Sequence, residues 1–169
     1  EYFPGVLITA PEMSFLAAEA ALKAGQTAAA KAAYEDGIKK SIEFYYWLRS
    51  ISNDNASPAL VPTNATEVNN YIGSTGVKWD NAATDADKLV LIATQKWIHY
   101  SVVEPVESWT EQRRLDAPIF NFEVDNSNTQ KLPPYRWFYS GKEQTYNGEN
   151  YEAVRSKDNL STKIFWDVK

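Results

Sequence analysis

Three glutamates lie at helical spacing in the middle of the chain. Glu104, Glu107 and Glu111 are three and four residues apart, so a helix places them on one face. A glycosidase needs two carboxyl groups that face each other across the scissile bond, roughly 5 Å or 6.5–9.5 Å apart and usually from separate elements. We therefore interpret the three as solvated charges. Alternatively, Glu111 pairs with Arg114 or with the coil beyond, and Arg113 and Arg114 hydrogen-bond to carbonyls of that coil.

A second acidic group has the composition of a calcium site. Asp80, Asn81, Asp85 and Asp87 all carry oxygen ligands. An EF-hand loop that starts at Asp80 needs Gly at its sixth position and Glu at its twelfth, but these positions hold Asp85 and Leu91. Asp85 and Asp87 are better explained as charges that face the positive end of a helix dipole. The sequence therefore predicts no metal site here.

The remaining catalytic chemistries have no motif in this chain. There is no Ser–His–Asp order, no glycine-rich phosphate loop, no His pair and no Cys. The single histidine, His99, lies among aromatic residues of an apolar helix, and we expect it to be a hydrogen-bonded core residue. The motifs therefore predict a protein that is not an enzyme and has no cofactor.

Two loop segments combine flat rings with polar neighbours, which is the composition of a sugar site. Aromatic faces can cover the apolar C–H faces of pyranoses, while polar side chains bind the hydroxyl groups. The candidate ligand-binding residues are Tyr71 and Trp79 in the first segment and Arg136, Trp137 and Tyr139 in the second. We expect either Trp79 or Trp137 to be substantially exposed. The alternative is that each ring anchors its loop by burial.

Composition narrows the class of protein further. A chain of 169 residues suffices for one domain that buries about 70% of its unfolded surface. The net charge of −5 argues against nucleic acid, because phosphate binding needs clustered Lys and Arg. No apolar run approaches the roughly 18 residues of a membrane span. Since the chain lacks an initiator Met, we interpret residues 1–169 as a single domain from a longer protein.

The element that organises the chain is a helical hairpin. Thr9 and Glu12 match a capping box, Gly25 is suited to the end of the first helix, and Thr27 is expected to cap the second. The pattern predicts helices over 10–24 and 28–50. The predicted inward stripes consist of small or apolar residues: Met13, Leu16, Ala17, Ala20, Ala21 and Ala24, then Ala28, Ala32, Ile38, Ile42 and Tyr45. The small–aromatic–small rhythm of Ala30, Tyr34 and Gly37 is typical of a tetratricopeptide-like pair.

The fold class predicted is mainly all-α, with further helices after the hairpin. Asn64 and Glu67 should cap a short helix within a long polar connection over 50–83. A helix over 85–103 is expected to be the most buried of the chain, and a short one should follow over 106–114. The aromatic end of the second helix, 44–48, is expected to be covered on more than one face. Residues 118–160 should be largely irregular, with turns and one or two short strands, and wrapped over the helices. Residues 163–167 should be an apolar anchor docked on them.

Several segments in sequence resemble the C-terminal region of SusD-like (SusD/RagB) proteins, and the resemblance covers nearly the whole chain. The segments are Leu16-Ala17-Ala18-Glu19-Ala20-Ala21, Gly25, Tyr34-Glu35-Asp36-Gly37-Ile38, Ile92-Ala93-Thr94-Gln95-Lys96-Trp97, Glu107-Ser108-Trp109-Thr110-Glu111-Gln112-Arg113-Arg114, Lys131-Leu132-Pro133, Tyr146-Asn147 and Ser161-Thr162-Lys163-Ile164-Phe165-Trp166-Asp167. The order and spacing of these segments match the family.

The resemblance implies a non-catalytic surface lipoprotein of the bacterial outer membrane. Such proteins bind glycans or other nutrients and cover a SusC-like TonB-dependent transporter. Full-length members carry a lipidated N-terminal Cys, which this chain lacks, so the anchor is expected on an N-terminal part outside it. The alternative is a purely structural piece that packs against that N-terminal part and contacts neither ligand nor transporter.

Overall fold

A computed structural model describes residues 4–52, 63–129 and 131–167. The predicted connection over 50–83 includes residues 53–62, which lie outside these ranges. The described residues contain α-helices and no strand, which confirms the all-α prediction. The helices are α1 (Ala10–Lys23), α2 (Thr27–Ile51), α3 (Ala65–Ile72), α4 (Asp85–Val103), α5 (Pro105–Leu115), α6 (Gly141–Tyr146) and α7 (Gly148–Val154), with 3₁₀ turns at Trp79–Asn81 and Arg155–Lys157.

The chain divides into two compact units, Glu1–Ile119 and Phe120–Lys169. The first unit holds α1 to α5, and the second holds α6 and α7. The single domain over 1–169 and the wrapping of its C-terminal segment over the helices stay predictions. Among the described residues, no helix is both long enough and apolar enough to span a bilayer.

Local sequence signals set both ends of α1. The Thr9 hydroxyl accepts a hydrogen bond from the Glu12 N–H, and the Glu12 carboxylate accepts one from the Thr9 N–H, which completes the predicted capping box. At the other end, Gly25 has a φ of 74°, and the Gln26 N–H donates to the Ala21 carbonyl at 2.8 Å. This is a Schellman turn, and it confirms the predicted glycine stop.

The start of α2 differs from the prediction. Gln26 is its N-cap, and no side chain caps the helix. The prediction that Thr27 is the cap is wrong, because the Schellman turn leads directly into the helix and leaves Thr27 inside its first turn.

The buried face of the hairpin also differs from the predicted stripes. In α1 the core face consists of Phe15, Ala18 and Leu22, whereas Met13 and Leu16 are exposed. Ala17 and Ala20 are also exposed, so the spacing of the small residues did not identify the inward face. In α2, Ile38 is buried and Ile42 packs against the core as predicted, but Ala28 and Ala32 are exposed. The rhythm of Ala30, Tyr34 and Gly37 is confirmed, since all three residues are buried.

Two predicted apolar helices are less covered than expected. In α4, one face buries Lys96, His99 and Tyr100, while Ile98 and Val102 on the opposite side are exposed. A larger share of α1 than of α4 is buried, so the prediction that α4 is the most buried helix is wrong. Trp47, near the end of α2, is 51% exposed, contrary to the covered aromatic end that we predicted.

The second unit is more helical than its sequence suggested. The prediction of largely irregular structure holds for the described residues of 120–139, but α6 and α7 follow. The Ser140 hydroxyl accepts a hydrogen bond from the Lys142 N–H at the start of α6, a capping signal that the glycine beside it obscured. Phe165 and Trp166 stack edge to face at 4.5 Å between ring centroids and remain exposed, so the predicted apolar anchor is not buried.

Candidate functional site

Trp79, one of the two predicted platform rings, lies in the core of the first unit. Its side chain is 3% exposed, and its ring packs against Tyr34 with 5.3 Å between the ring centroids. The Tyr34 hydroxyl donates a hydrogen bond of 2.7 Å to the Val77 carbonyl, which fixes the backbone just before Trp79. The ring has no face open to water. Trp79 therefore matches the alternative interpretation, in which the ring anchors its loop by burial.

Tyr71 is partly exposed at the end of α3. Its hydroxyl donates a hydrogen bond to the buried Gln95 side chain of α4, at 3.1 Å from the Oε1 atom. The ring edge is accessible, but the hydroxyl is occupied in joining α3 to α4. Tyr71 and Trp79 therefore both stabilise the first unit, and a ligand contact of Tyr71 stays a prediction.

Arg136, Trp137 and Tyr139 lie close in sequence, in the irregular segment that precedes α6 in the second unit. The Trp137 ring is 81% exposed, as predicted for one of the two loop tryptophans. The Arg136 guanidinium lies over the Tyr139 ring, 4.6 Å from its centroid, and its Nε donates to the Trp137 carbonyl at 3.2 Å. This cation–π contact and the hydrogen bond hold the guanidinium between the Tyr139 ring and the Trp137 backbone carbonyl.

A carboxylate further along the chain holds this segment in place. Asp158 accepts a hydrogen bond from the Tyr139 N–H at 2.8 Å and another from the Tyr151 hydroxyl at 2.9 Å. Tyr139 and Tyr151 also meet edge to face. The Tyr135 N–H donates to the Leu160 carbonyl, so both ends of the segment 135–139 are fastened to the region 158–160. We name the exposed surface formed by Arg136, Trp137 and Tyr139 the Trp137 surface.

The sequence reasoning missed the residues that support the Trp137 surface. Tyr151 lies in α7, a helix that was not predicted, and Asp158 follows the second 3₁₀ turn. The one local signal nearby is Asn159, whose side-chain oxygen accepts hydrogen bonds from the N–H groups of Ser161 and Thr162. Such an Asx turn predicts where the chain reverses. It does not predict which segment the chain returns to.

The three glutamates at helical spacing have three different environments. Glu107 is solvent-exposed, as predicted, but Glu104 is buried at the junction of α4 and α5. Its Oε2 atom has no hydrogen-bond partner within the described ranges. Burial, together with the charges of Glu12 and Glu107, raises the pKa of the Glu104 carboxyl. The prediction of solvated charges is therefore wrong for Glu104.

Glu111 belongs to a partly buried ionic network that joins three helices. Its carboxylate accepts a hydrogen bond from the fully buried Lys96 amine of α4 at 2.5 Å, and it pairs with Arg114 at 2.8 Å. The pairing of Glu111 with Arg114 was one of the predicted alternatives, and it is confirmed. Arg114 also binds both carboxylate oxygens of Glu19 in α1, at 2.8 and 2.6 Å. This bidentate pair lowers the pKa of Glu19 to about 2.

A shallow cleft of about 280 Å³ lies beside this network. Its lining consists of Leu16, Glu19, Ala20, Lys23, Glu111 and Arg114. The two carboxylates in the lining share the Arg114 guanidinium, and Lys23 pairs with Glu19 at 2.6 Å. Since these charges are already compensated by one another, the cleft is better explained as the surface of a structural ion network than as a catalytic acid pair.

His99 is a hydrogen-bonded core residue, as predicted. Its Nε2 lies 2.8 Å from the Thr9 hydroxyl, and its Nδ1 lies 2.9 Å from the Ser41 hydroxyl. A neutral imidazole has one N–H, so one hydroxyl donates to the ring and the other accepts from it. Burial lowers the pKa of His99 to about 4, which keeps the ring neutral at pH 7. The residue joins α1, α2 and α4.

The acidic residues that suggested a calcium site form ion pairs or helix caps with nearby side chains. Asp80 accepts two hydrogen bonds from the Lys31 amine, and Asp87 completes a capping box with Thr84 at the start of α4. Asp85 pairs with Lys88, so Asp85 and Asp87 lie at the helix N-terminus as predicted. Across the part of the chain that the structure describes, no group of three or more His, Cys, Asp or Glu could hold a metal ion.

The fold and the Trp137 surface define a helical protein built on a tetratricopeptide-like hairpin, with an aromatic surface open to solvent. The family model described as "Susd and RagB outer membrane lipoprotein" matches residues 1–167. The chain therefore belongs to the SusD-like family.

The solved structures contain a fold of the same kind. A crystal structure of a SusD homologue from Bacteroides fragilis NCTC 9343 matches with a TM-score of 0.73 and 23% sequence identity. The match covers 98% of this chain and 36% of that one, so this chain spans little more than a third of the homologue's length. This likeness supports the fold. No curated protein matches the chain.

Proposed function

We propose that the protein is a non-catalytic, glycan- or nutrient-binding component of a SusC/SusD-like TonB-dependent uptake system at the bacterial cell surface. Membership of the SusD-like family supports this class, and the family's description supports an outer-membrane lipoprotein with a lipid anchor. The partner is a SusC-like transporter, and the ligand is an oligosaccharide or another nutrient.

The observation that carries the ligand-binding part of the proposal is the exposure of Trp137. A pyranose stacks on an aromatic ring only where a face is open to water, and the Trp137 side chain is 81% exposed. Arg136 and Tyr139 supply polar groups on neighbouring residues, and Asp158 holds the segment by accepting a hydrogen bond from the Tyr139 N–H. Because hydrogen bonds hold the backbone at Tyr135 and Tyr139, ordering this segment when a sugar binds costs little conformational entropy.

Calorimetric titration of the complete protein with candidate oligosaccharides tests this proposal. Replacing Trp137 by Ala should weaken binding by about 1–3 kcal/mol, by analogy with the stacking of a base on an aromatic ring. The matched control is Trp109→Ala, which removes an exposed indole from the first unit. The control should leave the affinity unchanged. Both variants should keep a free energy of unfolding within about 0.5 kcal/mol of the wild-type value.

The second candidate is a structural role without ligand contact. The burial of Trp79 and the hydrogen bond of Tyr71 to Gln95 favour it, because both residues serve packing. The same titration separates the two candidates. Affinity unchanged by Trp137→Ala, in a protein that binds well, would contradict a ligand role for the Trp137 surface and support the structural one.

A further inference from the structure

Arg136 is a positively charged group that the second unit holds in place without neutralising it. Its Nε donates to the Trp137 carbonyl, and its planar face lies on the Tyr139 ring. Within the ranges that the structure describes, the guanidinium makes no ion pair, and its terminal nitrogens Nη1 and Nη2 have no acceptor. Asp158, the carboxylate that holds this segment, is occupied by Tyr139 and Tyr151.

The remaining free edge of the guanidinium has a defined chemical preference. The two Nη atoms present parallel N–H donors, a geometry that matches the two oxygens of a carboxylate or a sulfate. Because Nε and the ring contact already orient the plane, little further ordering is needed when an anion binds. The carbonyl that holds Nε belongs to Trp137, so the guanidinium lies against the backbone of the residue that carries the exposed indole.

We propose that the Trp137 surface binds an acidic oligosaccharide. A sugar ring stacks on Trp137, and an anionic substituent of that sugar or of its neighbour pairs with the Nη1 and Nη2 edge of Arg136. The substituent is a uronic acid carboxylate or a sulfate ester, which present the same pair of oxygens. This inference rests on the proposed function and specifies the class of its ligand.

The distribution of charge along the sequence favours this unit for an anionic ligand. Residues 120–169 carry seven Lys and Arg and seven Asp and Glu, whereas residues 1–119 carry ten and fifteen. The net charge of −5 therefore belongs to the first unit. An anionic sugar meets no net repulsion from the second unit, and at Arg136 it meets a positive charge that no described residue neutralises.

Four probes separate the charge of the ligand from its shape. They are trigalacturonic acid, the same trisaccharide with its carboxyl groups methyl-esterified, neutral galactotriose, and galactotriose carrying sulfate esters. The complete protein should bind trigalacturonic acid, the sulfated sugar or both on the order of tenfold more tightly than their neutral counterparts, because hydrogen bonds to charged groups are the stronger ones. The two acidic probes distinguish the carboxylate from the sulfate as the preferred substituent.

Three variants assign the preference to Arg136. Arg136→Gln should remove the difference between acidic and neutral probes, while Arg136→Lys should keep part of it, since a lysine is a point charge without the planar fork. Arg155→Gln is the control, because Arg155 is an exposed arginine of the same unit that pairs with Glu152. The control should leave every affinity unchanged.

The outcomes distinguish this inference from the proposed function. Equal affinity for acidic and neutral probes, with both affinities reduced by Trp137→Ala, would overturn the acidic ligand and leave glycan binding at this surface intact. A preference for acidic probes that persists in Arg136→Gln would also overturn it. Binding of any probe that neither Trp137→Ala nor Arg136→Gln affects would overturn the ligand role proposed for the Trp137 surface together with the inference.

Discussion

The ring of Phe15 occupies the space that a Cβ atom on Gly37 would need. A Cβ atom placed at Gly37 would lie 2.5 Å from Cε1 and 2.7 Å from Cδ1 of Phe15, distances that real contacts do not reach. Phe15 is fully buried and cannot turn aside. The close approach of α1 and α2 therefore depends on the absence of a side chain at residue 37.

Gly37→Ala should consequently destabilise the protein, although Ala favours helix over Gly by about 1 kcal/mol. Overpacking against the Phe15 ring should leave a net loss of about 1–3 kcal/mol in the free energy of unfolding. Urea denaturation followed by circular dichroism measures this loss. The control is Gly148→Ala, whose added Cβ meets nothing within 4 Å.

A second substitution shows whether the clash with Phe15 is the cause. In the Phe15→Leu background, Gly37→Ala should cost less than in the wild type, because the ring has been removed. Equal costs in the two backgrounds would mean that the ring does not limit the spacing of the helices.

Two adjacent alanines of α1 should respond differently to enlargement. Ala18 is fully buried, whereas Ala17 is exposed. We expect Ala18→Leu to overpack the core and cost about 1–3 kcal/mol, and Ala17→Leu to change stability by less than about 0.5 kcal/mol. The pair is its own control, since both changes add the same side chain to the same helix. A larger loss for Ala17→Leu than for Ala18→Leu would mean that Ala17 lies on the inward face of α1, as the periodicity predicted.

Local signals explain why the extents of the helices were predictable from the sequence. The capping boxes at Thr9, Asn64 and Thr84 involve residues three positions apart, and the turn at Gly25 needs only its own backbone preference. Such interactions are encoded within a few neighbouring residues. The predicted helices over 10–24, 28–50 and 85–103 agree with the structure to within one or two residues.

Which face of α1 points into the core was not predictable in the same way, because it depends on contacts with residues distant in sequence. Phe15 points inward because Gly37 leaves space for it, and Glu19 is buried because Arg114 neutralises it. In an alanine-rich helix these few contacts outweigh the weak periodicity of the rest. The same holds for the Trp137 surface. Its aromatic residues could be identified from the sequence, but the hydrogen bond that joins Tyr139 to Asp158 could not.

The pair of Glu19 and Arg114 should give the protein an acid-sensitive component of stability. The pKa of Glu19 is about 2 in the folded state, below the value of 4.5 for a free glutamate. The unfolded chain therefore binds a proton more readily between these values, and this contribution is complete above about pH 4.5 and is lost as the pH falls towards 2. It amounts to about 1–3 kcal/mol, allowing for the water that reaches Arg114.

Denaturation curves between pH 2 and pH 6 measure this contribution. Glu19→Gln should be less stable than the wild type at pH 6, and the two should converge as the pH approaches 2. Glu43→Gln, which alters an exposed glutamate of α2, serves as the control and should run parallel to the wild type. A constant difference between Glu19→Gln and the wild type across this range would show that ionisation of Glu19 does not contribute.

His99 should titrate well below the range of a free imidazole. Its pKa of about 4 lies below the ordinary value of 6.5, so between these values the unfolded chain binds more protons and stability rises with pH. Because the chain has one histidine, NMR resonances of the imidazole can be assigned without ambiguity. We expect the ring to remain neutral at pH 6 in the folded protein and to become about half protonated near pH 4. A midpoint near 6.5 would contradict the buried, doubly hydrogen-bonded environment.

The burial of Trp79 determines what the fluorescence of this protein can report. Of the six tryptophans, Trp79 alone is shielded, and the other five are at least about one-third exposed. The native emission should thus arise mainly from indoles in contact with water and should shift little on unfolding. For the same reason a quencher such as acrylamide should quench most of the emission in the native state. A ligand that covers Trp137 should reduce this quenching.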